Sequence, residues 1–279
     1  MHFKLLITQQ TPFRGRNLIQ ALLRGAMAAG VSAEIVGQHS ADPESVLMLY
    51  GMGGADRLPL AESQVRSGGR LVVFDAGYWD RALTDNARRY RVSIDGLHPP
   101  AFVMKGNRPD PSRWQCSGLS ITNTGGNPGG PILLAGNGPK SNAIGAQGWS
   151  EMKSREIRAA FPGRKIAYRP KPKKPAERGV SCDLVSTCSI EQAVAGASLV
   201  VCRHSNVAVD ACRAGVPVVC EDGAAAAIYP SLLADAENQP DEQTRIEFLH
   251  RLAWWQWSPD ECARGAVWPW LIGVLNAGV

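Results

Sequence analysis

Apolar runs of strand length alternate with amphipathic stretches along the first half of the chain. Runs rich in Val, Ile, Leu and Phe predict buried strands, whereas apolar residues that recur every three or four positions predict helices. The strands predicted in this way are Phe3–Thr8, Ala33–Val36, Val46–Tyr50 and Leu71–Asp75, and the helices are Asn17–Ala29 and Arg57–Ser67. Residues 78–114 show no such period and are predicted to be irregular.

A second series of the same kind follows a stretch rich in Gly, Asn and Pro at Thr122–Pro131, which predicts a linker between two domains, residues 1–128 and 129–279. Its strands are predicted at Ile132–Ala135, Lys165–Tyr168, Leu199–Cys202 and Val216–Cys220, and its helices at Ser150–Phe161, Ser189–Ala195 and Asn206–Ala214. Glu242–Trp257 and Pro259–Leu275 are predicted to be two terminal helices. The alternation in both halves is typical of α/β proteins with parallel, Rossmann-like sheets.

The most informative segment joins the last two predicted strands. Arg203, His204, Ser205 and Asn206 lie between the strand Leu199–Cys202 and the helix that follows it. Open α/β sheets bind ligands at the carboxyl ends of their strands, and the free N–H groups at a helix N-terminus favour an anion there. Ser205 or Asn206 is expected to cap the helix, and Gly215 to end it.

This segment resembles the donor half of GT-B glycosyltransferases, in which a Ser-Asn/Thr-x-x-x-Asp/Glu-Ala-x-x-x-Gly-x-Pro-Val sequence lines the nucleotide-sugar cleft. The matching residues are Ser205, Asn206, Asp210, Ala211, Gly215, Pro217 and Val218. The match extends from Ser189 to Tyr229, and the rest of the chain matches by architecture. The resemblance implies two facing Rossmann-like domains with C-terminal helices that cross back. The alternative interpretation of this segment is purely structural: a strand, a capped helix and a Gly-x-Pro strand entry that bind no ligand.

Composition narrows the class of protein. No apolar run approaches the roughly 20 residues that a membrane helix needs, and the first residues lack the apolar core of a signal peptide, so a cytoplasmic protein is expected. Seven cysteines without a Cys-x-x-Cys pair predict reduced core thiols rather than disulfides or a zinc site. The net charge is +5, and the basic surplus is larger in residues 1–130, which is compatible with an anionic partner.

Further donor-site candidates follow other predicted strands. The loop Gly136–Ser141 brings glycine N–H groups and Lys140 to a strand end, where a diphosphate can bind. Arg169 matches a place where GT-B proteins carry a cleft-facing cation. Glu221 and Asp222 match a strand end where GT-B carboxylates bind ribose or sugar hydroxyls. For the glycine loop the alternative is a tight turn without a ligand. For Arg169 it is a solvated loop, and for the carboxylates it is a helix cap. The predicted donor site comprises Gly136, Gly138, Lys140, Ser141, Arg169, Arg203, His204, Ser205, Asn206, Asp210 and Glu221.

The catalytic and acceptor candidates lie in the first half. Asp75 ends a predicted strand, so its carboxylate is expected to serve as the base that deprotonates the acceptor hydroxyl, with a turn cap as the alternative. His98 is the second candidate base, although a histidine in a surface turn is commoner. Gly53, Tyr78 and Arg81 are the predicted acceptor-binding residues, with simple packing as the alternative for the aromatic ring. The chain has no Asp-x-Asp motif, so no metal is expected to be required for donor binding.

These observations favour a glycosyltransferase that uses a nucleotide sugar, with a UDP-sugar expected first. The size of the chain and the basic first half resemble phage-encoded transferases that act on hydroxymethylated pyrimidines in double-stranded DNA. A transferase acting on a cell-envelope glycan is the alternative of the same class. A sugar-nucleotide epimerase, with acid and base groups such as His98 and His204, and a non-catalytic nucleotide-binding protein are the alternatives from other classes.

Overall fold

A largely parallel sheet forms the centre of the first of two units in the computed structural model, which describes residues 1–52, 56–79, 87–96, 102–106, 110–138, 141, 145, 147–171 and 177–278. Met1–Pro99 and Trp254–Val279 make up this unit, and Pro100–Ala253 make up the second. The domain limits predicted at residues 128 and 129 stay a prediction.

The first unit contains the strands β1 (His2–Leu6), β2 (Ala33–Val36), β3 (Ser45–Tyr50), β4 (Arg70–Ala76) and β5 (Tyr90–Ile94). They lie in the order β5-β4-β3-β1-β2, with β2, β1, β3 and β4 parallel and β5 antiparallel to β4. The helices Phe13–Ala28 and Arg57–Arg66 connect the parallel strands. The near-continuous apolar sequence of β3, all but its last residue buried, is typical of a strand covered on both faces.

The second unit has a five-stranded parallel sheet in the order β10-β9-β6-β7-β8. Its strands are β6 (Ile132–Ala135), β7 (Ile166–Arg169), β8 (Leu184–Val185), β9 (Leu199–Cys202) and β10 (Val218–Cys220). The accompanying α-helices are Ser112–Gln115, Trp149–Ala160, Ile190–Ala195, Val207–Ala214 and Glu242–Trp254, and two 3-10 helices span Ala224–Ala227 and Leu233–Asp235. Ser189 and Gln192 form a capping box, which explains where the helix Ile190–Ala195 begins.

The C-terminal segment returns to the first unit. A last strand, β11 (Gln256–Trp257), pairs with β5 at the edge of the first sheet, and the helices Pro259–Ala263 and Val267–Asn276 follow it. A Cβ added at Gly25 would lie 1.8 Å from the carbonyl oxygen of Cys262, so only glycine at position 25 permits the helix Pro259–Ala263 to approach the helix Phe13–Ala28 this closely. Among the described residues, no helix is long and apolar enough to cross a membrane.

The predicted fold class is confirmed, but three segments differ from the sequence prediction. Residues 78–114, predicted to be irregular, contain β5 and the short helix Ser112–Gln115. The helix that begins at Glu242 ends at Trp254 and not at Trp257, because the next residues form β11. The helix predicted from Pro259 to Leu275 is divided at Gly265, whose φ of 81° is left-handed and interrupts the helix.

Candidate functional site

Four strands of the second sheet end in register. Ala135 of β6 is aligned with Arg169 of β7 and with Cys202 of β9, and Cys202 is aligned with Cys220 of β10. The residues that follow these strands therefore share one edge of the sheet, where ligands of open parallel sheets bind. This carboxyl edge, defined here as residues 136–138, 141, 203–206 and 221–223, contains most of the predicted donor site.

His204 joins three loops of the carboxyl edge. Its Nε2 lies 2.6 Å from Ser141 Oγ, which follows β6, and its Nδ1 lies 4.0 Å from Asp222 Oδ2, which follows β10. Asp222 Oδ1 accepts a hydrogen bond of 2.6 Å from the N–H of Gly223. A Cβ at Gly223 would lie 3.1 Å from His204 Cα, and the φ of 86° at this glycine is left-handed. The loops therefore pack closely around the imidazole ring.

Two side-chain nitrogens of the carboxyl edge are buried donors without an acceptor. Arg203 Nη1 and Asn137 Nδ2 have no hydrogen-bond partner in the part of the chain that the structure describes. An unsatisfied buried donor costs about 1–3 kcal/mol, and more when it is charged, so these two nitrogens require an acceptor, which a water, an ion or a ligand can supply. The helix Val207–Ala214 also begins here, and the positive end of its dipole favours the same negative charge.

The glycine loop is organised differently from the sequence prediction. The N–H of Gly136 donates to the carbonyl oxygen of Arg169 at 2.9 Å, and the N–H of Asn137 donates to Glu177 Oε1 at 3.1 Å. A Cβ at Gly136 would lie 2.5 Å from the Tyr168 hydroxyl oxygen, so close packing alone requires this glycine. Gly138 accepts a hydrogen bond from the N–H of Ser141 across a turn. The N–H groups of Gly136, Asn137 and Ser141 are thus occupied by acceptors within the protein.

Arg169 and Glu221 both have protein partners. Arg169 Nη1 donates to the carbonyl oxygen of Cys188 at 2.7 Å and to Ser186 Oγ at 3.3 Å. Glu221 Oε2 accepts from the Trp149 indole at 2.6 Å, and Oε1 pairs with Lys153. Burial disfavours the charge of Lys153, but hydrogen bonds to Glu156 and Glu221 outweigh it and raise the lysine pKa. Glu221 therefore holds the helix Trp149–Ala160 against the carboxyl edge through these two contacts.

The motif residues lie at the start of the helix Val207–Ala214. Asn206 is the N-cap residue by position but makes no side-chain capping hydrogen bond, and Ser205 Oγ accepts from the N–H of Val207 at a long 3.4 Å. Asp210 lies in the first turn, where its charge complements the helix dipole. Gly215 ends the helix in the left-handed conformation, as predicted, with φ of 73°.

On the first unit, Asp75 lies near the end of β4. Its Oδ1 accepts from the N–H of Ala76 at 2.8 Å, and its Oδ2 lies 3.5 Å from Arg91 Nη2 on β5. Tyr78 is only 5% exposed, and its ring centre lies 6.0 Å from the Arg91 guanidinium carbon. Burial is the first cause of the raised pKa of Tyr78, and the charge of Arg91 opposes it. Tyr78 is thus packed inside this unit, which was the alternative to a role in acceptor binding.

Four predicted site residues lie outside the described residues: Gly53, Arg81, His98 and Lys140. Their roles stay predictions. The sequence analysis missed Asn137 and Glu177. Glu177 could not be found from the sequence, because its contact with Asn137 joins residues far apart in the chain.

The described residues contain no cluster of three or more His, Cys, Asp or Glu side chains that could hold a metal ion. No protein-family model matches the sequence, and no curated protein matches it. A solved structure of Thermosulfurimonas dismutans KpsC, described as a beta Kdo 2,7 transferase, is similar over 96% of this chain and 99% of its own, with 14% identity and a TM-score of 0.55.

Two further structures are more distant. The beta Kdo 2,4 transferase of the same KpsC matches 92% of both chains with 9% identity and a TM-score of 0.48. A UDP-GlcNAc 2-epimerase from Methanocaldococcus jannaschii matches 100% of both chains with 11% identity and a TM-score of 0.30. The likeness to the 2,7 transferase, together with the two sheets, shows a fold of the GT-B type with two Rossmann-like domains.

Proposed function

We propose that this protein is a glycosyltransferase that moves a sugar from a nucleotide-sugar donor to a hydroxyl group. The proposal rests on two buried hydrogen-bond donors, Arg203 Nη1 and Asn137 Nδ2, at the carboxyl edge of the second sheet. A phosphate group of the nucleotide sugar would accept hydrogen bonds from both, and it would face the N-terminus of the helix Val207–Ala214.

The donor side supplies charge stabilisation. During transfer the bond between the sugar and the nucleotide phosphate breaks, and negative charge develops on the leaving nucleotide. Arg203 and the helix N-terminus would stabilise this charge in a site that is already folded around them, which is the usual source of most of the rate gain. Ser205, Asn206, Ser141 and His204 line the same edge, and Lys140 is proposed to add a second cation.

Asp75 is proposed to be the base that takes the proton of the acceptor hydroxyl. Arg91 Nη2 lies 3.5 Å from Asp75 Oδ2, so the two side chains form an ion pair across β4 and β5. A base of this kind activates the acceptor for direct attack on the anomeric carbon, so the product is expected to have the inverted configuration. Gly53 and Arg81 stay the proposed acceptor contacts, and His98 is the replacement base if Asp75 proves dispensable.

For the acceptor we propose a glycan hydroxyl, because the similar KpsC structure is described as a beta Kdo 2,7 transferase. For the same reason, an activated Kdo is proposed beside UDP-sugars as one of the first donors to examine. A hydroxymethylated pyrimidine in double-stranded DNA is the second candidate acceptor, favoured by the larger basic surplus of residues 1–130. Contact with DNA would weaken steeply with salt, whereas contact with a neutral glycan would not.

Nucleotide binding is the first test of this proposal. UDP, CMP, CDP, GDP and ADP are added separately to the full chain, and thermal unfolding is followed. A nucleotide at one hundred times its Kd stabilises the folded state by about 2.7 kcal/mol and raises Tm accordingly. A clear shift with one base and not with the others supports the proposal. No shift with any of these nucleotides at millimolar concentration contradicts it.

A further inference from the structure

Ser141, His204 and Asp222 form a chain of three side chains at the carboxyl edge. Ser141 Oγ lies 2.6 Å from His204 Nε2, and His204 Nδ1 lies 4.0 Å from Asp222 Oδ2. The histidine side chain is only 10% exposed, whereas Ser141 is half-buried and reaches the surface. A hydroxyl, an imidazole and a carboxylate in this order are the arrangement that activates a serine nucleophile.

The surroundings of these residues fit the same chemistry. Asn137 lies four positions before Ser141 on the same loop, and its Nδ2 is a buried donor without an acceptor among the described residues. Side-chain amides of this kind stabilise the oxyanion of a tetrahedral intermediate. Asp222 is fixed in turn, since its Oδ1 accepts from the N–H of Gly223 while Oδ2 faces the ring.

We propose that Ser141 is an activated nucleophile and that this site hydrolyses esters of small carboxylic acids. Glycosyl transfer as proposed above does not use this activity, although the two would share the carboxyl edge. An acyl ester is the substrate class, because a neutral amide donor beside a serine–histidine pair suits the oxyanion of acyl transfer.

The reaction consists of two balanced steps. Ser141 Oγ bonds to the carbonyl carbon while its proton passes to His204 Nε2. The oxyanion collapses, the ester C–O bond breaks, and the alcohol leaves with that proton. Water then attacks the acyl-serine and gives a proton to His204, the acid leaves, and the proton returns to Ser141. Asp222 is a positioning residue, since its carboxylate, 4.0 Å from Nδ1, stabilises the positive charge that forms on the imidazole.

A structural latch between two loops is the competing explanation of the Ser141–His204 hydrogen bond. A latch would hold the loops together but would not make the hydroxyl reactive. The two explanations therefore differ in serine reactivity, which a fluorophosphonate measures directly: Ser141 Oγ bonds to phosphorus, the P–F bond breaks, and fluoride leaves.

The experiment uses the full chain, a fluorophosphonate probe and peptide mass spectrometry. The proposal predicts an adduct on Ser141, hydrolysis of p-nitrophenyl acetate, and loss of both in Ser141→Ala. Ser117→Ala is the matched control, since Ser117 is also half-buried in the second unit but bonds only to the backbone. This control is expected to behave as the unaltered protein does.

His204→Gln is expected to slow labelling by about 100-fold or more, the usual contribution of a positioned general base. Asp222→Asn keeps an oxygen for Gly223 and removes the charge that faces Nδ1, so it should slow labelling without lowering Tm, and Asp222→Glu should restore part of the rate. No adduct in the folded, unaltered protein, or an adduct on other serines only, overturns the proposal. The change in Tm on nucleotide binding is measured in a separate experiment. Failure of the esterase proposal therefore does not decide the glycosyltransferase proposal, and the reverse also holds.

Discussion

Asp75 lies directly opposite Arg91 across the antiparallel β4–β5 pair, and the nearest carboxylate and guanidinium atoms are 3.5 Å apart. The two side chains are 16% and 9% exposed. An ion pair this far from solvent affects the stability of the fold, whether or not Asp75 is catalytic. Removing one partner leaves the other charge poorly solvated and unpaired. Tests of Asp75 must therefore separate loss of activity from loss of stability.

Replacing Asp75 with Asn should lower turnover by about 100-fold or more, because the amide cannot accept the acceptor proton. Nucleotide binding should persist, since the proposed donor-site residues lie in the second unit. The free energy of unfolding should fall by about 1–3 kcal/mol, because the Arg91 guanidinium loses its charged partner. Turnover kinetics, nucleotide calorimetry and urea unfolding measure the three effects.

Arg91→Gln is the matched control for this variant. It breaks the same ion pair and should lower stability comparably, but it keeps the carboxylate and should lose far less turnover. Equal losses of turnover in the two variants would assign Asp75 to the fold alone.

Tyr50 offers a pH test of the ionisation of Asp75. Burial and then the negative charge of Asp75 raise the pKa of Tyr50 from 10.0 to about 12. Because the folded-state pKa is the higher one, Tyr50 stabilises the fold fully below pH 10, and this contribution is lost as the pH rises through about 12. NMR titration of the tyrosine Cζ carbons, assigned with Tyr50→Phe, should show this late midpoint. Asp75→Asn should lower it, and a midpoint near 10 in the folded protein would contradict the burial and charge described here.

Arg203→Met should weaken nucleotide binding by about 10- to 100-fold, since a hydrogen bond to a charged group contributes about 1.5–3 kcal/mol. The ligand-free protein should not lose stability, because Arg203 Nη1 is a buried donor without an acceptor among the described residues. Isothermal calorimetry and thermal unfolding measure the two quantities.

Arg164→Met provides the opposite pattern as a control. Arg164 Nη2 donates to Ser198 Oγ at 2.5 Å and to the carbonyl oxygens of Pro128 and Gly130, away from the carboxyl edge. Its replacement should lower Tm and leave nucleotide affinity unchanged. Unchanged affinity in Arg203→Met as well would remove this arginine from the donor site.

Donor binding should be the same in EDTA and in Mg²⁺, because the chain has no Asp-x-Asp motif to hold a metal between carboxylates and phosphates. Nucleotide Kd values in the two buffers measure this. A Kd that rises at least tenfold in EDTA would show that a metal bridges the nucleotide to the protein.

Much of the fold could be predicted from local sequence. Continuous apolar runs such as Ser45–Tyr50 and Leu199–Cys202 identify parallel strands, because such strands are covered on both faces. β5 was missed because its polar positions, Arg91 and Ser93, are typical of exposed residues. In the folded unit they are buried, and Arg91 meets Asp75. A long-range pairing of this kind leaves no local pattern.

The candidate site was predictable only as far as strand ends are. Placing Arg203 to Asn206 after a strand and before a helix was enough to bring them to the carboxyl edge. Whether each hydrogen-bond donor has an acceptor within the protein was not predictable. The N–H groups of Gly136 and Asn137 donate to Arg169 and Glu177. Asn137 Nδ2 and Arg203 Nη1 have no acceptor among the described residues, and this difference depends on packing and not on residue type.

Transfer of a sugar to an acceptor is the reaction that the proposed function requires. The full chain is incubated with UDP-sugars or activated Kdo, together with either a glycan acceptor or duplex DNA that contains hydroxymethylated pyrimidines. Mass spectrometry then measures the acceptor and the released nucleotide. We expect an acceptor heavier by one sugar, nucleotide release in equal amount, an inverted anomeric centre, and loss of all three in Asp75→Asn. Epimerised donor without transfer, or bound nucleotide sugar that remains intact with every acceptor, would overturn the proposed glycosyltransferase activity.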